Sequence, residues 1–138
     1  MSTYLFVWNP NNWEWKDLDS MIETLNKTGV TSTQWSCASH KSIRLGDRAF
    51  LIRLGTQPKG ILGSGYVSSM PFQASHWRDP NKISNKVMIK FDTLINPKKD
   101  PILPLEKLEE DISNNQEWTP QSSGIVIREE VTSKLEEL

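Results

Sequence analysis

The segment from Gly46 to Ser69, GDRAFLIRLGTQPKGILGSGYVSS, constrains the fold more than any other part of the chain. Two runs rich in apolar residues, GDRAFLIRLG and KGILGSGYVSS, flank a short polar connection at Thr56 to Lys59, a pattern that predicts a β-hairpin. Gly63 and Gly65 interrupt the second arm. A glycine inside a strand weakens it unless a bulge or a closely approaching backbone requires the missing side chain, so one of these is expected there.

The flanking segments add to this sheet. Tyr4 to Trp8, YLFVW, is apolar throughout and is stopped by Asn9-Pro10, which predicts a central strand buried on both faces. In NPNNWEWKDLDSMIETLNKTG, Trp15, Leu18, Met21, Ile22 and Leu25 recur at helical spacing before Gly29. An amphipathic helix is expected, with Trp13 and Trp15 in its first turn and Trp15 in the core. TQWS, Thr33 to Ser36, reads as a short polar strand. Val87, Ile89 and Phe91 alternate with Lys86, Met88, Lys90 and Asp92, as in a half-buried strand. PILPLEKLEEDI suggests a short strand turning into a short acidic helix, and IREEVTSKLEEL places Ile127, Val131 and Leu135 on one helical face. The fold class is therefore α+β: a small curved sheet or β-barrel with flanking helices.

The 138 residues make a single domain, residues 1–138, long enough to bury a core of its own. No apolar run approaches the length of a membrane span, and MSTYLFVWNP has no basic segment ahead of its short apolar run, so it reads as a strand and not a signal peptide. One cysteine allows no internal disulfide, which fits a reducing cytoplasm. Net charge is only −1, yet it is unevenly spread. Residues 1–34 carry 2 basic and 4 acidic side chains, residues 35–99 carry 11 and 3, and residues 100–138 carry 3 and 10. The middle segment, at +8, has the asymmetry of a phosphate-binding face, although solvated lysines on sheet edges produce the same count.

Catalytic signals are weak. Cys37, His40 and His76 are the only thiol and imidazole groups, too few for a zinc site, and no CxxC or HxxxH spacing occurs. A lone cysteine is more often a small packed residue than a nucleophile. No GxGxxG or GxxxxGK[ST] loop is present to cradle nucleotide phosphates, and Glu109-Glu110-Asp111 is most simply a solvated face. No metal, cofactor or catalytic residue is expected. Tryptophan is the stronger signal, with six in the chain. Trp35, Trp77 in QASHWRDP and Trp118 in NNQEWTPQSSG lie among polar and basic residues, the arrangement with which proteins stack an unpaired base while Lys and Arg hold the backbone. Packing is the commoner fate of any single tryptophan.

The order of these motifs resembles the PUA-like superfamily, specifically its EVE branch and the related YTH and ASCH domains. The resemblance rests on YLFVWNP, on TQWSCASHKSIRLGDRAFLIRLG with its basic-x-x-x-Gly-Asp turn, on the glycine-containing GILGSGYVSS, and on the closing EWTPQSSGIVIREEVTSKLEEL. Such endings occur where EVE domains join HNH nucleases in modification-dependent restriction enzymes. The resemblance implies a small barrel that receives a modified base, flipped out of nucleic acid, in an aromatic-lined pocket. Carried over by position, it implies a pocket of Trp35, Ser36, Trp77 and Asn9, with Trp8, Trp118, Gln121 and Ser122 nearby. Where YTH domains have Lys-Ser after the first strand, this chain has Trp8-Asn9.

Lys41, Arg44, Arg48, Arg78 and Lys82 become the expected phosphate contacts. The expected partner is DNA carrying 5-methylcytosine or 5-hydroxymethylcytosine, with RNA a possible substitute, no membrane, and an HNH nuclease fused or associated. The alternatives are a YTH-like reader of 6-methyladenine, an ASCH-like RNA-acting enzyme using His40 or Lys41, and a protein-interaction barrel.

Overall fold

The computed structural model describes residues 3–11, 15–36, 43–55, 59–75, 83–97, 103–104 and 125–127. Its elements are β1 (Thr3–Trp8), α1 (Leu18–Thr28), β2 (Thr31–Ser36), β3 (Arg48–Arg53), β4 (Gly60–Val67), β5 (Phe72–Ser75), β6 (Ile83–Leu94), β7 (Leu103–Pro104) and β8 (Ile125–Ile127). The strands form one sheet in the order β2-β6-β4-β3-β1-β8, with β5 added to β6 and β7 to β4. The class is α+β.

The hairpin is present as β3 and β4, and its irregularities lie where the glycines predict them. Pairing between β3 and β4 shifts register at Leu51/Ile52, and pairing between β4 and β6 shifts at Ser64/Gly65. At Gly65 the backbone of β6 approaches so closely that a Cβ would overlap the Lys90 carbonyl oxygen. The extra residue is Leu62 of β4 in the first shift and Asp92 of β6 in the second, and such bulges bend the sheet and increase its twist.

The aromatic strand β1 lies between β3, to which it is parallel, and β8, to which it is antiparallel. Alternation sends Tyr4, Phe6 and Trp8 to one face and Leu5 and Val7 to the other. Tyr4, Phe6 and Trp8 join Leu51, Leu62, Val67, Val87, Ile89 and Phe91 in the main core. Leu5 and its β3 neighbours Phe50 and Ile52 are buried as well, which explains the unbroken apolar sequence of the strand.

The helix covers the main core. Leu18 and Leu25 are buried, with Met21 and Ile22 packed against the cluster. It starts later than the apolar spacing implies: the residue ahead of it is Asp17, and Trp15 stands before its first turn. Trp15 belongs to the core without being helical, because a buried ring recurs at the right interval whether or not its backbone has turned. The helix ends at Gly29, whose φ of 84° is left-handed and whose N–H donates to Leu25 at 2.7 Å. Trp13 and the acidic segment after Pro104 lie outside the described residues. The expected helical face from Ile127 is corrected at its first residue: Ile127 is in β8, paired with Thr3 and buried. A three-residue strand carries too short a pattern to declare its period. No helix among the described residues is long and apolar enough to cross a membrane.

Candidate functional site

Three indoles meet beneath the ends of β1 and β2. Trp15 lies edge-to-face with Trp8, ring centres 5.4 Å apart, and tilted against Trp35 at 5.0 Å. Phe91 of β6 closes the group, 6.5 Å from Trp15. The geometry favours attraction between positive ring edges and negative faces. Exposures of 8% for Trp8, 7% for Trp15 and 7% for Trp35 make the cluster a floor rather than an open cage.

Its orientation is fixed by backbone chemistry. Strand β8 pairs β1 only from Thr3 to Leu5, so the edge of β1 beyond Leu5 has no strand beside it among the described residues. There the Trp35 indole N–H donates to the Val7 carbonyl at 3.0 Å. A side chain from one end of the sheet order thus ties to a strand near the other, and the curved sheet is drawn closed at this point. Arg53, in register with Trp8 across β1 and β3, is buried with its guanidinium 5.4 Å from the Trp8 ring centre. Burial lowers its pKa from the ordinary arginine value. The fixed cation over the ring is a cation–π arrangement.

A polar clasp sits directly after β1. The Asn9 side-chain oxygen accepts from the Asn11 backbone N–H at 2.9 Å, and the Asn11 amide donates to the Gly55 carbonyl at 3.1 Å. The Leu54 N–H donates to Trp8 at 3.0 Å. Gly55 has a φ of 86°, and a Cβ there would overlap the Asn9 carboxamide. Glycine is required on both counts. Asn9 is therefore held at the rim of the aromatic cluster with one side-chain acceptor already engaged.

Comparison with known proteins places the architecture but supplies no family. No family model matches the chain, and no curated protein matches it. Among solved structures, a hypothetical protein from Leishmania major aligns over 99% of this chain and 93% of its own, at 12% identity and a TM-score of 0.69. A protein from Pseudomonas syringae aligns over 99% and 98%, at 15% identity and a TM-score of 0.61. The likeness is one of fold. The YTH domain of Mmi1 aligns over 97% of this chain and 73% of its own, at 16% identity and a TM-score of 0.47.

The structure brings Trp8, Asn9 and Trp35 into one neighbourhood. Ser36 is paired in register with Lys86. Trp77, Trp118, Gln121, Ser122, Lys41, Arg78 and Lys82 lie outside the described residues. Arg44 is exposed, in a turn where its backbone N–H donates to the Asp47 carboxylate at 2.9 Å. Arg48 is engaged at several points. Its guanidinium donates to the Gly65 carbonyl at 2.9 Å and to Ser64 Oγ at 3.4 Å, and pairs with Asp92 at 3.5 Å. It also lies over the rings of Phe50, at 4.9 Å, and Tyr66, at 4.7 Å. A phosphate contact by Arg48 would compete with all of these. Sequence reasoning did not single out Arg53 for this neighbourhood, because its place opposite Trp8 follows from a parallel pairing that leaves no local mark.

Proposed function

We propose that this chain is a nucleic-acid reader domain that binds a modified base flipped out of its strand, without cutting the strand itself. The observation that carries the reading is the indole cluster of Trp8, Trp15 and Trp35, tied to Val7 and capped by the Arg53 cation, beside the clasp that holds Asn9. A rigid aromatic floor with a polar rim suits a planar heterocycle, which is recognised by stacking on a ring and by hydrogen bonds to its edge. The motif order resembling EVE and YTH domains, and the +8 charge of residues 35–99, support the same reading.

In its finer form the base is 5-methylcytosine or 5-hydroxymethylcytosine in DNA, and the domain is the specificity module of a modification-dependent restriction endonuclease with an HNH nuclease fused or associated. Trp77 supplies the stacking wall above the floor, with Ser36, Trp118, Gln121 and Ser122 around the opening. Lys41, Arg44, Arg78 and Lys82 hold phosphates.

The test is a titration of DNA and RNA hairpins bearing 5-methylcytosine, 5-hydroxymethylcytosine, 6-methyladenine or no modification, with thermal melts of each protein variant. Trp77→Ala should melt like wild type and lose affinity for the preferred modified hairpin by about 5- to 150-fold, the equivalent of one base stack. A Trp77→Ala protein that keeps both its melting temperature and its preference overturns the pocket. Preference for 6-methyladenine would move the assignment to a YTH-like reader, and cleavage of DNA by the pure protein with divalent metal would overturn the binding-only reading.

A further inference from the structure

Part of the sheet's outer face is open to solvent. Val67 of β4, Ile89 and Phe91 of β6 and Trp35 of β2 lie in the main core, so alternation sends the residues between them to the opposite face. Beside β1 that outer face is covered, since Leu5, Phe50 and Ile52 are buried. Across β4, β6 and β2 it is not: Tyr66, Lys90, Ser32 and Gln34 are all exposed.

One row of side chains crosses the open part. Tyr66 is in register with Arg48 on β3 and with Lys90 on β6, and Lys90 with Ser32 on β2. Side chains directly opposite on antiparallel strands stand about 4.5–5.5 Å apart at Cβ, so the ring lies between two cations. Tyr66 is 48% exposed. The other large apolar side chains exposed among the described residues, Leu45 and Met70, stand in connections and not in strands.

Arg48 backs the ring. Its guanidinium lies 4.7 Å from the Tyr66 ring centre, and it is held in turn by the Gly65 carbonyl, Ser64 and Asp92. An aromatic surface already fixed in this way loses little freedom when something stacks on it. Arg48 offsets Asp92, the carboxylate of this face, and the exposed Lys90 makes the net sign beside the ring positive.

The occupant follows from this mixture. A protein interface has an apolar, close-packed centre, whereas Tyr66 shares its face with Lys90, Ser32, Gln34 and Ser64. A single aromatic ring with a cation beside it suits an unpaired base, which stacks on the ring while a phosphate meets the ammonium. We propose that Tyr66 and Lys90 form a second nucleic-acid contact on the outer face of the sheet, with Tyr66 stacking one unpaired base and Lys90 holding a phosphate. This rests on the reader function above for the class of ligand alone. Trp35 and Tyr66 occupy opposite faces of the sheet, so the two rings serve different nucleotides and Tyr66 does not sense the modification.

The experiment titrates the full chain by fluorescence anisotropy over a salt series, with unmodified oligothymidylate and oligouridylate single strands and with a modified hairpin and its unmodified twin. Tyr66→Thr keeps a good strand former and removes the ring. It should weaken the single strands by about 5- to 150-fold, the equivalent of one base stack, and leave the ratio between the two hairpins unchanged. Tyr66→Phe, which keeps the ring, should bind like wild type. Lys90→Gln should melt like wild type and lower the slope of log affinity against log salt by about 0.7, the value for one phosphate of a single strand. Thermal melts establish that each variant is folded at the titration temperature. Folded Tyr66→Thr that binds single strands like wild type overturns the proposal and leaves this face to a protein partner. Tyr66→Phe as weak as Tyr66→Thr overturns stacking, and an unchanged slope in Lys90→Gln overturns the phosphate contact. Wild type that prefers the modified hairpin but binds no single strand overturns this contact and not the reader function. Wild type that binds single strands through Tyr66 without preferring any modification overturns the reader function and not this contact.

Discussion

Replacing Trp35 by phenylalanine isolates the hydrogen bond that draws the sheet closed. The ring remains aromatic and stays beside Trp15, but the indole N–H that reaches Val7 at 3.0 Å is gone. Leaving the half-buried Val7 carbonyl without that donor should cost about 1–3 kcal/mol. The smaller ring also opens a void against Trp15, worth about 1–2 kcal/mol. The sum, about 2–5 kcal/mol, is a large share of the roughly 5–15 kcal/mol that stabilises an ordinary domain. At about 4 °C per kcal/mol for a domain of this size, the melting temperature should fall by about 8–20 °C. Circular dichroism melts, with urea unfolding at constant m to confirm that compactness is unchanged, measure it. A fall of less than about 4 °C would show that the closure does not depend on this bond.

Two further substitutions test the remaining structural claims. Gly65→Ala puts a Cβ into the Lys90 carbonyl and should destabilise by at least about 1–3 kcal/mol, whereas Gly29→Ala, with nothing within 4 Å of the new Cβ, should cost only about 1 kcal/mol of backbone strain; urea midpoints separate the two. Arg48→Met removes the contacts to Gly65, Ser64 and Asp92 and should lower the melting temperature while leaving the salt dependence of nucleic-acid binding unchanged, because its guanidinium is committed within the sheet; a flatter salt slope would return Arg48 to the phosphate contacts.

What the sequence disclosed follows the range of each interaction. The hairpin, the central character of YLFVW and the irregularity at Gly63 and Gly65 are written in neighbouring residues, where alternation and glycine have direct conformational meaning. The start of α1 is not legible in the pattern, because Trp15 matches the helical interval while serving the core from outside the helix. Long-range partners left no such mark. Nothing near Trp35 announces that its N–H ends on Val7, 28 positions away, and nothing near Arg48 announces Asp92. Charge alone does not reveal whether the Arg48 guanidinium faces solvent or lies over the rings of Phe50 and Tyr66. The likeness of fold to the Leishmania major protein accords with the α+β reading, while the assignment of individual pocket residues rests on motif order.

The placement of β1 also governs how the chain behaves while it is being made. Thr3 pairs with Arg48 on one side and with Ile127 on the other, so this apolar strand is made well before either of its neighbours. At roughly 5–20 residues per second, about 2–9 s separate synthesis of Thr3 from that of Arg48, and about 6–25 s separate it from Ile127. Throughout that interval YLFVW is an unpaired, uncharged strand on a nascent chain, able to pair with the same segment of a neighbouring chain on the polysome. The hazard therefore grows with the time taken to make the roughly forty residues between β1 and β3 and with the crowding of nascent chains, and a polar substitution on the run of residues 4–8 would relieve it only by weakening the core those residues later build.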